Sequence, residues 1–192
     1  MSENRKTIIY GGVALVLLIL AIISSPGRIT PEAFQDQGDE FFPAFKDPNE
    51  ATTLEVVEYD AVNGTTKPFK VTFDGSRWTI PSHHNYPADA KERLARTAAG
   101  IIDIKKDEYR TDNVSEHVAC GVVDPLDATA GTAGRGKRVT MRGEGGNVLA
   151  DFIIGHSIEG RPNYSFVRVP GQNRVYVAKV DADLSTRFED WI

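Results

Sequence analysis

The sequence is poor in the residues that most often reveal an activity. Its single cysteine, Cys120, excludes an internal disulfide, and a lone cysteine is more often a small buried apolar residue than a redox centre. Positive charge is scarce as well. The chain has 22 Lys and Arg against 27 Asp and Glu. Residues 1–28 contain three of the basic residues and one of the acidic residues, so the rest of the chain has 19 basic and 26 acidic residues and a net charge of −7. Such an acidic body is unsuited to nucleic acid and is repelled by anionic lipid headgroups.

Long apolar runs are absent except for one. Residues 8–23 (IIYGGVALVLLILAII) carry no charge and, with their uncharged neighbours, approach the roughly 20 helical residues that cross a bilayer. We expect a transmembrane helix here. Its apolar side chains include Ile8, Val13, Leu15, Leu17, Leu18, Leu20 and Ile22.

The residues on either side of this run predict its orientation. Arg5 and Lys6 precede it, and by the positive-inside rule they keep the N-terminus in the cytoplasm and place the body outside the inner membrane. A cleaved signal peptide is the alternative, but Ile22 to Pro26 fit a small-x-small cleavage site poorly. We therefore assign residues 1–28 to a cytoplasmic tail and a single-pass anchor whose direct contact is the lipid bilayer.

Residues 29–50 are rich in Pro, Gly and acidic residues, a composition typical of a tether. Four phenylalanines lie within this stretch, and we expect some of them to pack on the domain or to lie at the membrane interface. Residues 51–192 remain, enough for one domain of ordinary size.

The apolar pattern of that domain switches between strand and helix periods. Leu54–Tyr59, Phe69–Phe73 and Trp78–Ile80, separated by Asn63-Gly64 and Asp74-Gly75 turns, predict a three-stranded meander. Residues 88–104 predict a central helix. Residues 138–142, 148–154, 164–169 and 175–177 predict more strands, and residues 181–192 a C-terminal helix. The predicted fold is therefore α+β: an N-terminal transmembrane helix, then an antiparallel sheet of strand meanders with one central and one C-terminal helix.

Several short motifs resemble those of a known family, Domain of unknown function 4340. They are Trp78-Thr79-Ile80-Pro81 with Pro87-Ala88-Asp89, then Cys120-Gly121-Val122-Val123-Asp124-Pro125, then Leu149–Gly155, and Arg174–Val177. Cys120 and Val122 depart from the aromatic residue and leucine usual in the second motif. The resemblance implies a membrane-anchored envelope protein of bacteria, often encoded beside ABC transporters of the gliding-motility type. It implies no established catalytic residue.

Two motifs imitate catalytic or nucleotide-binding sites. Gly131 to Lys137 has the spacing of a phosphate-binding P-loop, but Arg138 stands where a Ser or Thr must hold Mg²⁺, and a strand rather than a helix is predicted to follow. Gly155 to Gly160 resembles a hydrolase elbow, but Glu159 intrudes and the spacing is one residue too long. We expect loops at both places and assign no cofactor and no catalytic residue.

The histidines and the C-terminus offer candidate metal ligands and candidate partner contacts. The adjacent His83 and His84 point to opposite faces of an extended segment, while His117 and Cys120 lack two further zinc ligands. We assign no metal site. Three residues lie on one face of the predicted C-terminal helix, where they either pack on their own domain or form candidate partner contacts: Phe188, Trp191 and Ile192.

These features favour a non-catalytic binding or scaffold module on the outer side of the inner membrane. The resemblance suggests that it serves an ABC-type transport system, with the transporter's membrane subunits as partners. A stand-alone envelope domain that binds cell-wall or matrix material is the alternative interpretation.

Overall fold

A computed structural model describes the backbone of residues 3–23 and the whole of residues 34–192; side chains of the first stretch are described for residues 10–20. The first stretch is one helix, α1 (Glu3–Ile23), and the second stretch belongs to a separate unit. Among these described residues, no helix has both the length and the hydropathy that a membrane crossing requires. Residues 3–23 are helical, as the sequence predicts. That this helix crosses a membrane stays a prediction.

Residues 34–192 form an α+β unit in which nine strands make one antiparallel sheet, in the order β4-β3-β2-β1-β6-β7-β8-β9-β5. The strands are β1 (Ala51–Asp60), β2 (Thr65–Phe73), β3 (Trp78–Ile80), β4 (Tyr86–Pro87), β5 (Glu108–Thr111), β6 (Lys137–Gly143), β7 (Val148–Ser157), β8 (Tyr164–Arg168) and β9 (Val175–Lys179). The helices of this unit are α2 (Lys91–Ile102) and the single turn α3 (His117–Cys120). The predicted α+β class is confirmed.

Two carboxylates organise the turns of the first meander. Asp60 accepts hydrogen bonds from the backbone of Val62 and Asn63, and Asp74 does the same for Ser76 and Arg77. Such Asx turns fix the hairpin geometry, so the three predicted strands pair as β1, β2 and β3. The sequence missed both edge strands, because β4 and β5 have only two and four residues and show little alternation.

One face of the sheet carries most of the apolar core. Helix α2 lies on this face and buries Leu94, Ala98 and Ile101. The sheet contributes Leu54 and Phe152, which are fully buried in the same cluster. We call this the first face. It confirms the predicted amphipathic central helix, whose apolar residues recur at helical spacing.

The described part of the predicted tether, residues 34–50, packs against the domain. Phe41 and Phe45 are buried in the core of the first face. The backbone of residues 38–41 also pairs with residues 104–106, as in the hydrogen bond of 3.1 Å from Phe41 N to Ile104 O. The phenylalanines that a simple spacer would not need are thus core residues. Residues 29–33 of the predicted tether lie outside the described part of the chain.

The predicted C-terminal helix is wrong. Residues 180–187 run as an irregular segment across α2, and only Phe188–Trp191 form a short 3-10 helix. Thr97 of α2 donates its hydroxyl to Asp183 O at 2.9 Å. The side chains of Asp183 and Ser185 accept hydrogen bonds from nearby backbone N–H groups, which competes with helix formation.

The opposite face of the sheet, which we call the second face, has a much smaller apolar cluster. Ile153 and Val175 point to this side, because successive residues of a strand point to opposite faces and their neighbours belong to the first face. Cys120, the last residue of α3, and Val122, just beyond it, pack on them. Cys120 is buried as expected, and burial raises the pKa of its thiol.

Candidate functional site

The clearest concave site is an open cavity of about 550 Å³ on the second face. Three segments form its wall: the turn that contains α3, the loop of residues 121–136, and the turn of residues 169–174 between β8 and β9. Its volume falls within the range of small-molecule sites. The lining mixes exposed apolar side chains with a buried cation, as the following contacts show.

Two glycines allow α3 to lie directly on the sheet. Gly121 ends α3 with a φ of 70°, and a Cβ atom there would lie 2.6 Å from the His156 ring. A Cβ atom at Gly155 of β7 would lie 2.2 Å from the carbonyl oxygen of Cys120. The contact at Gly155 is with backbone and excludes a side chain, whereas at Gly121 the left-handed backbone favours glycine, because the exposed His156 ring can rotate away. The end of α3 therefore crosses β7 with backbone against backbone, and we call this contact the glycine crossing.

Arg135 holds the loop that forms one wall. Its guanidinium donates to the carbonyl oxygens of Pro125, Asp127, Ala130 and Gly131 at 2.7 to 2.9 Å. It also lies over the Tyr59 ring, 4.5 Å from the centroid. These bonds fold residues 124–131 into a fixed wall and turn their carbonyl groups inward, away from any ligand.

Arg168, the last residue of β8, is the buried cation of the cavity. Its side chain is only 7% exposed. Nε donates to Val122 O and Nη1 to Gln172 O, both at 2.9 Å. Burial lowers the pKa of this guanidinium, and the nearby acids Asp124 and Asp127 oppose that effect. The carbonyl contacts orient the guanidinium without neutralising its charge.

An ion-pair network lies beside this cation. Arg138 of β6 binds Asp151 through Nε at 3.0 Å and Nη2 at 2.7 Å, a two-point contact. Its Nη1 reaches Asp124 at 2.8 Å. Hydrogen bonding to Asp151 raises the pKa of Arg138, although burial opposes it. Asp124 is therefore committed to Arg138 and to the backbone N–H of Leu126.

His117 of α3 closes the cavity on the side of the β8–β9 turn. It is buried, and its Nε2 atom lies 2.8 Å from Asn173 O, so Nε2 carries the proton and donates it. This bond ties α3 to the turn. The histidine acts here as a structural donor.

The lining of this cavity offers contacts for binding a ligand. In the described residues, the lining of this cavity includes no serine, threonine or cysteine that could act as a nucleophile. No group of three or more His, Cys, Asp or Glu side chains is placed to hold a metal ion in residues 34–192 or the described part of α1. The cavity instead offers one oriented positive charge and apolar contacts, which are the elements of a ligand-binding site.

A second cavity, of about 590 Å³, is a poorer candidate. It is lined by Asp39, Glu40 and Lys105 among others. Two of its charges are paired, since Lys46 binds Glu40 at 2.6 Å and Lys106 binds Asp36 at 3.1 Å. The other two, on Asp39 and Lys105, are exposed to solvent. Nothing in its lining leaves a buried charge to recognise a ligand, so we take the cavity at Arg168 as the candidate site.

Comparison with family models gives one match. Residues 78–192, which are more than half of the chain, match the model of the family described as Domain of unknown function (DUF4340). The chain belongs to this family. No curated protein and no solved structure matches it.

The DUF4340 match contains every residue that lines the cavity. The Cys120–Pro125 element, one of those that suggested the family, forms the α3 end, the glycine crossing and the start of the loop. The match begins at Trp78, yet β1 lies in the centre of the sheet, between β2 and β6. The folded unit is therefore larger than the matched DUF4340 segment.

The predicted anchor residues of this DUF4340 protein lie in α1. Val13, Leu15, Leu17, Leu18 and Leu20 are all exposed, Leu15 at 62%. The other two, Ile8 and Ile22, fall outside the residues whose side chains are described.

The three candidate partner contacts at the C-terminus have different surroundings. Trp191 is fully buried on the first face, where Nε1 donates to Ser185 O at 3.0 Å and Arg93 lies over its ring. Phe188 is half-buried and stacks on His83. Ile192 is 55% exposed. Trp191 packs on its own domain, and Ile192 is the one of the three whose side chain stays largely exposed.

The motifs that imitate active sites are placed as loops or strands. In the P-loop-like segment, the Arg135 guanidinium donates to backbone carbonyl groups, whereas a true P-loop presents amide groups to phosphate. Lys137 begins β6 and pairs with Glu58 at 2.7 Å. The elbow-like Ser157 is the last residue of strand β7, and not part of a strand-to-helix turn. The expected loop is present at residues 131–136, but the expectation of a loop at Gly155 to Gly160 is wrong for Gly155–Ser157, which belong to β7.

Arg168 and Arg135 are the residues that sequence reasoning missed. An arginine at the end of an alternating strand (YSFVR) is usually on a solvated face, so nothing local marks Arg168 as buried. Gly121 and Gly155 mark the place where α3 lies on β7, but their proximity depends on the fold and is not visible in the sequence. No local signal therefore marked Arg168.

Proposed function

We propose that this DUF4340 protein is a membrane-anchored, non-catalytic binding module on the outer side of the bacterial inner membrane, an accessory component of an ABC-type transport system. The observation that carries the binding role is the cavity at Arg168: a preformed concavity with an oriented, un-neutralised cation and no nucleophile in its described lining.

The anchoring part of the proposal is supported by the sequence. Residues 8–23 are uncharged and follow Arg5 and Lys6. An exposed leucine-rich helix on a protein whose body is acidic calls for a nonpolar environment, and a bilayer supplies one. The transport role is supported by the family resemblance, which implies an association with ABC transporters.

Membrane fractionation tests the anchor. The full chain is expected to stay in the membrane pellet after a carbonate wash, while a Leu17→Arg and Leu18→Arg double variant is shifted to the supernatant, because each charge at the centre of a helix costs about 2.5 to 3.5 kcal/mol to insert. A Leu17→Ile and Leu18→Ile variant is the matched control and stays in the pellet. Release of the wild-type chain by the wash would refute the anchor.

Copurification tests the transport role. The full chain, tagged at its N-terminus and crosslinked in native membranes before solubilisation, is expected to bring down the membrane subunits of an ABC transporter. Recovery of the chain alone would count against this role. Recovery with cell-wall or matrix material instead would favour the stand-alone envelope domain.

A further inference from the structure

The cavity at Arg168 has one feature that a purely structural pocket does not need. Among the described residues, Nη2 of Arg168 has no hydrogen-bond partner, and no carboxylate lies within ion-pair distance of the guanidinium. Nη2 itself is not enclosed by protein, so it reaches the cavity while the rest of Arg168 is buried, and an anion bound there would form a charge-assisted hydrogen bond with it. The other two nitrogens are fixed by carbonyl groups, so the free donor has a defined direction.

The other charged groups around the cavity do not neutralise this cation. Asp124 is bound to Arg138 at 2.8 Å, and Arg138 is in turn held by Asp151. Asp127 is bonded to the hydroxyl and backbone N–H of Thr129 at 2.6 and 2.8 Å, and these bonds lower its pKa. Arg135 is saturated by carbonyl groups. Among the described residues that line the cavity, Arg168 is therefore the cation that still has a hydrogen-bond donor for a ligand.

The rim of the cavity is apolar and open. Val114 and Val118 line it and are 56% and 47% exposed. Val123 and Ala130 extend this lining. Exposed apolar side chains next to a buried charge match a ligand that carries an anionic group on a small apolar body.

We infer that the cavity binds a carboxylate ligand of this kind, the C-terminus of a short apolar peptide, with the carboxylate on Arg168 and the adjoining side chains on Val114 and Val118. Asp127 at the edge favours a monoanion, because a doubly charged phosphate is repelled more strongly. The guanidinium fork suits a carboxylate geometrically. The inference rests on the proposed binding function and specifies its ligand.

Titration of the full chain in detergent tests the ligand class. The probe is N-acetyl-alanyl-alanine, followed by calorimetry and by the Nε–H resonance of Arg168 in isotope-labelled protein. We expect saturable binding that shifts this resonance. The C-terminal amide of the same dipeptide is expected not to bind. Equal binding of the amide, binding of inorganic phosphate as tightly as the peptide, or no binding of the peptide would each overturn the inference.

Variants of Gly131 test the location without touching Arg168. Gly131 lines the cavity, its φ is not in the left-handed region, and a Cβ atom there would meet nothing within 4 Å. Gly131→Asp is expected to weaken peptide binding about fivefold and Gly131→Lys to tighten it by a similar factor, since a charge pair at the rim is worth about 1 kcal/mol. Gly131→Asn is the neutral control. A tighter complex with Gly131→Lys cannot arise from misfolding, and equal affinities for all three variants would contradict the site.

Arg168 itself is tested with two substitutions. Arg168→Lys keeps the charge but loses the fork, and is expected to bind the peptide about tenfold more weakly; Arg168→Gln is expected to abolish binding. Circular dichroism establishes that each variant is folded. The copurification described above separates the two proposals: a chain that associates with transporter subunits yet ignores the peptide refutes only the ligand assignment, while peptide binding without those subunits refutes only the transport role.

Discussion

The two faces of the sheet are built in different ways. The first face is covered by α2, by residues 34–50 and by the C-terminal segment, and its cluster is apolar and continuous. The second face is covered by α3 and a loop, and its apolar cluster has only four fully buried residues: Cys120, Val122, Ile153 and Val175. Around these four lie Arg168, Arg138 and His117, all largely buried and hydrogen-bonded.

The difference separates the part that stabilises the fold from the part that is free to bind. Apolar burial stabilises a domain in proportion to its area, so most of the free energy of unfolding comes from the first face. The polar groups of the second face contribute less, because their hydrogen bonds replace bonds to water. A cavity placed on the second face can therefore expose a charge without weakening the main core.

The largest expected effect is the loss of a first-face aromatic. Phe152→Ala is expected to lower the free energy of unfolding by about 3 to 5 kcal/mol, because it removes a fully buried ring and leaves a cavity. Denaturant unfolding of the full chain in detergent measures it. Two fully buried valines provide a matched pair: Val56→Ala on the first face is expected to cost more than Val175→Ala on the second. The reverse order would contradict the division between the faces.

The glycine crossing is the next prediction. Gly121→Ala is expected to cost about 2 kcal/mol or more, because the left-handed conformation alone costs about 1 to 2 kcal/mol and the new Cβ atom would meet the His156 ring. Gly171 also has a positive φ of 79°, but open space around it. Gly171→Ala should therefore cost less. Equal costs, measured by thermal unfolding, would mean that the crossing is not tight.

The sequence predicts some elements of the fold correctly and others wrongly. The meander of β1 to β3 was predictable, because Asn63-Gly64 and Asp74-Gly75 mark turns between alternating segments and act locally. The helix of residues 181–192 was predicted wrongly, because Leu184, Phe188 and Trp191 have helical spacing while the backbone bonds instead to α2. That competition is tertiary and cannot be read from a local pattern.

The candidate site was less predictable than the fold. The family motif Cys120–Pro125 pointed to the right segment, but not to a cavity. Arg168 lies 46 residues from Val122, its hydrogen-bond acceptor, and 44 from Asp124 in the chain. The pairing of β7 with β8 places Arg168 beside Ile153, and Val122 packs on Ile153 from the segment after α3. Without that register, the charge on Arg168 has no distinguishing feature.

The segment that closes the first face gives a pH-dependent prediction. Asp36 accepts hydrogen bonds from the Tyr176 hydroxyl and from Lys106 Nζ, the latter at 3.1 Å, and Arg174 lies nearby. Burial alone would raise the pKa of Asp36, but these donors and charges outweigh it and lower the pKa. Asp36→Asn is expected to cost about 1 to 3 kcal/mol at neutral pH, because it weakens charged hydrogen bonds.

The sign of the pH effect follows from that lowered pKa. The stabilisation by Asp36 is complete above the ordinary aspartate pKa of about 4 and is lost as the pH falls through the lower value in the folded state. The difference in unfolding free energy between wild type and Asp36→Asn should therefore shrink below about pH 4. In a Tyr176→Phe background, which lacks the hydroxyl donor, the difference in unfolding free energy between Asp36 and Asn at this position is expected to be smaller as well. A difference that stays constant down to the acid transition would contradict the network.

The smallest expected effect is at Lys137, the residue that imitates a P-loop lysine. Its partner is Glu58 at 2.7 Å, and both side chains are more than one-third exposed, so Lys137→Ala should change the unfolding free energy by less than about 1 kcal/mol. Neither wild type nor the variant is expected to bind ATP with Mg²⁺ in a calorimetric titration, because the adjoining loop turns its carbonyl groups toward Arg135. ATP binding by the wild type that is lost in Lys137→Ala would show that this loop presents amide groups to phosphate, and would remove the main reason for treating Arg168 as the cation that recognises a ligand.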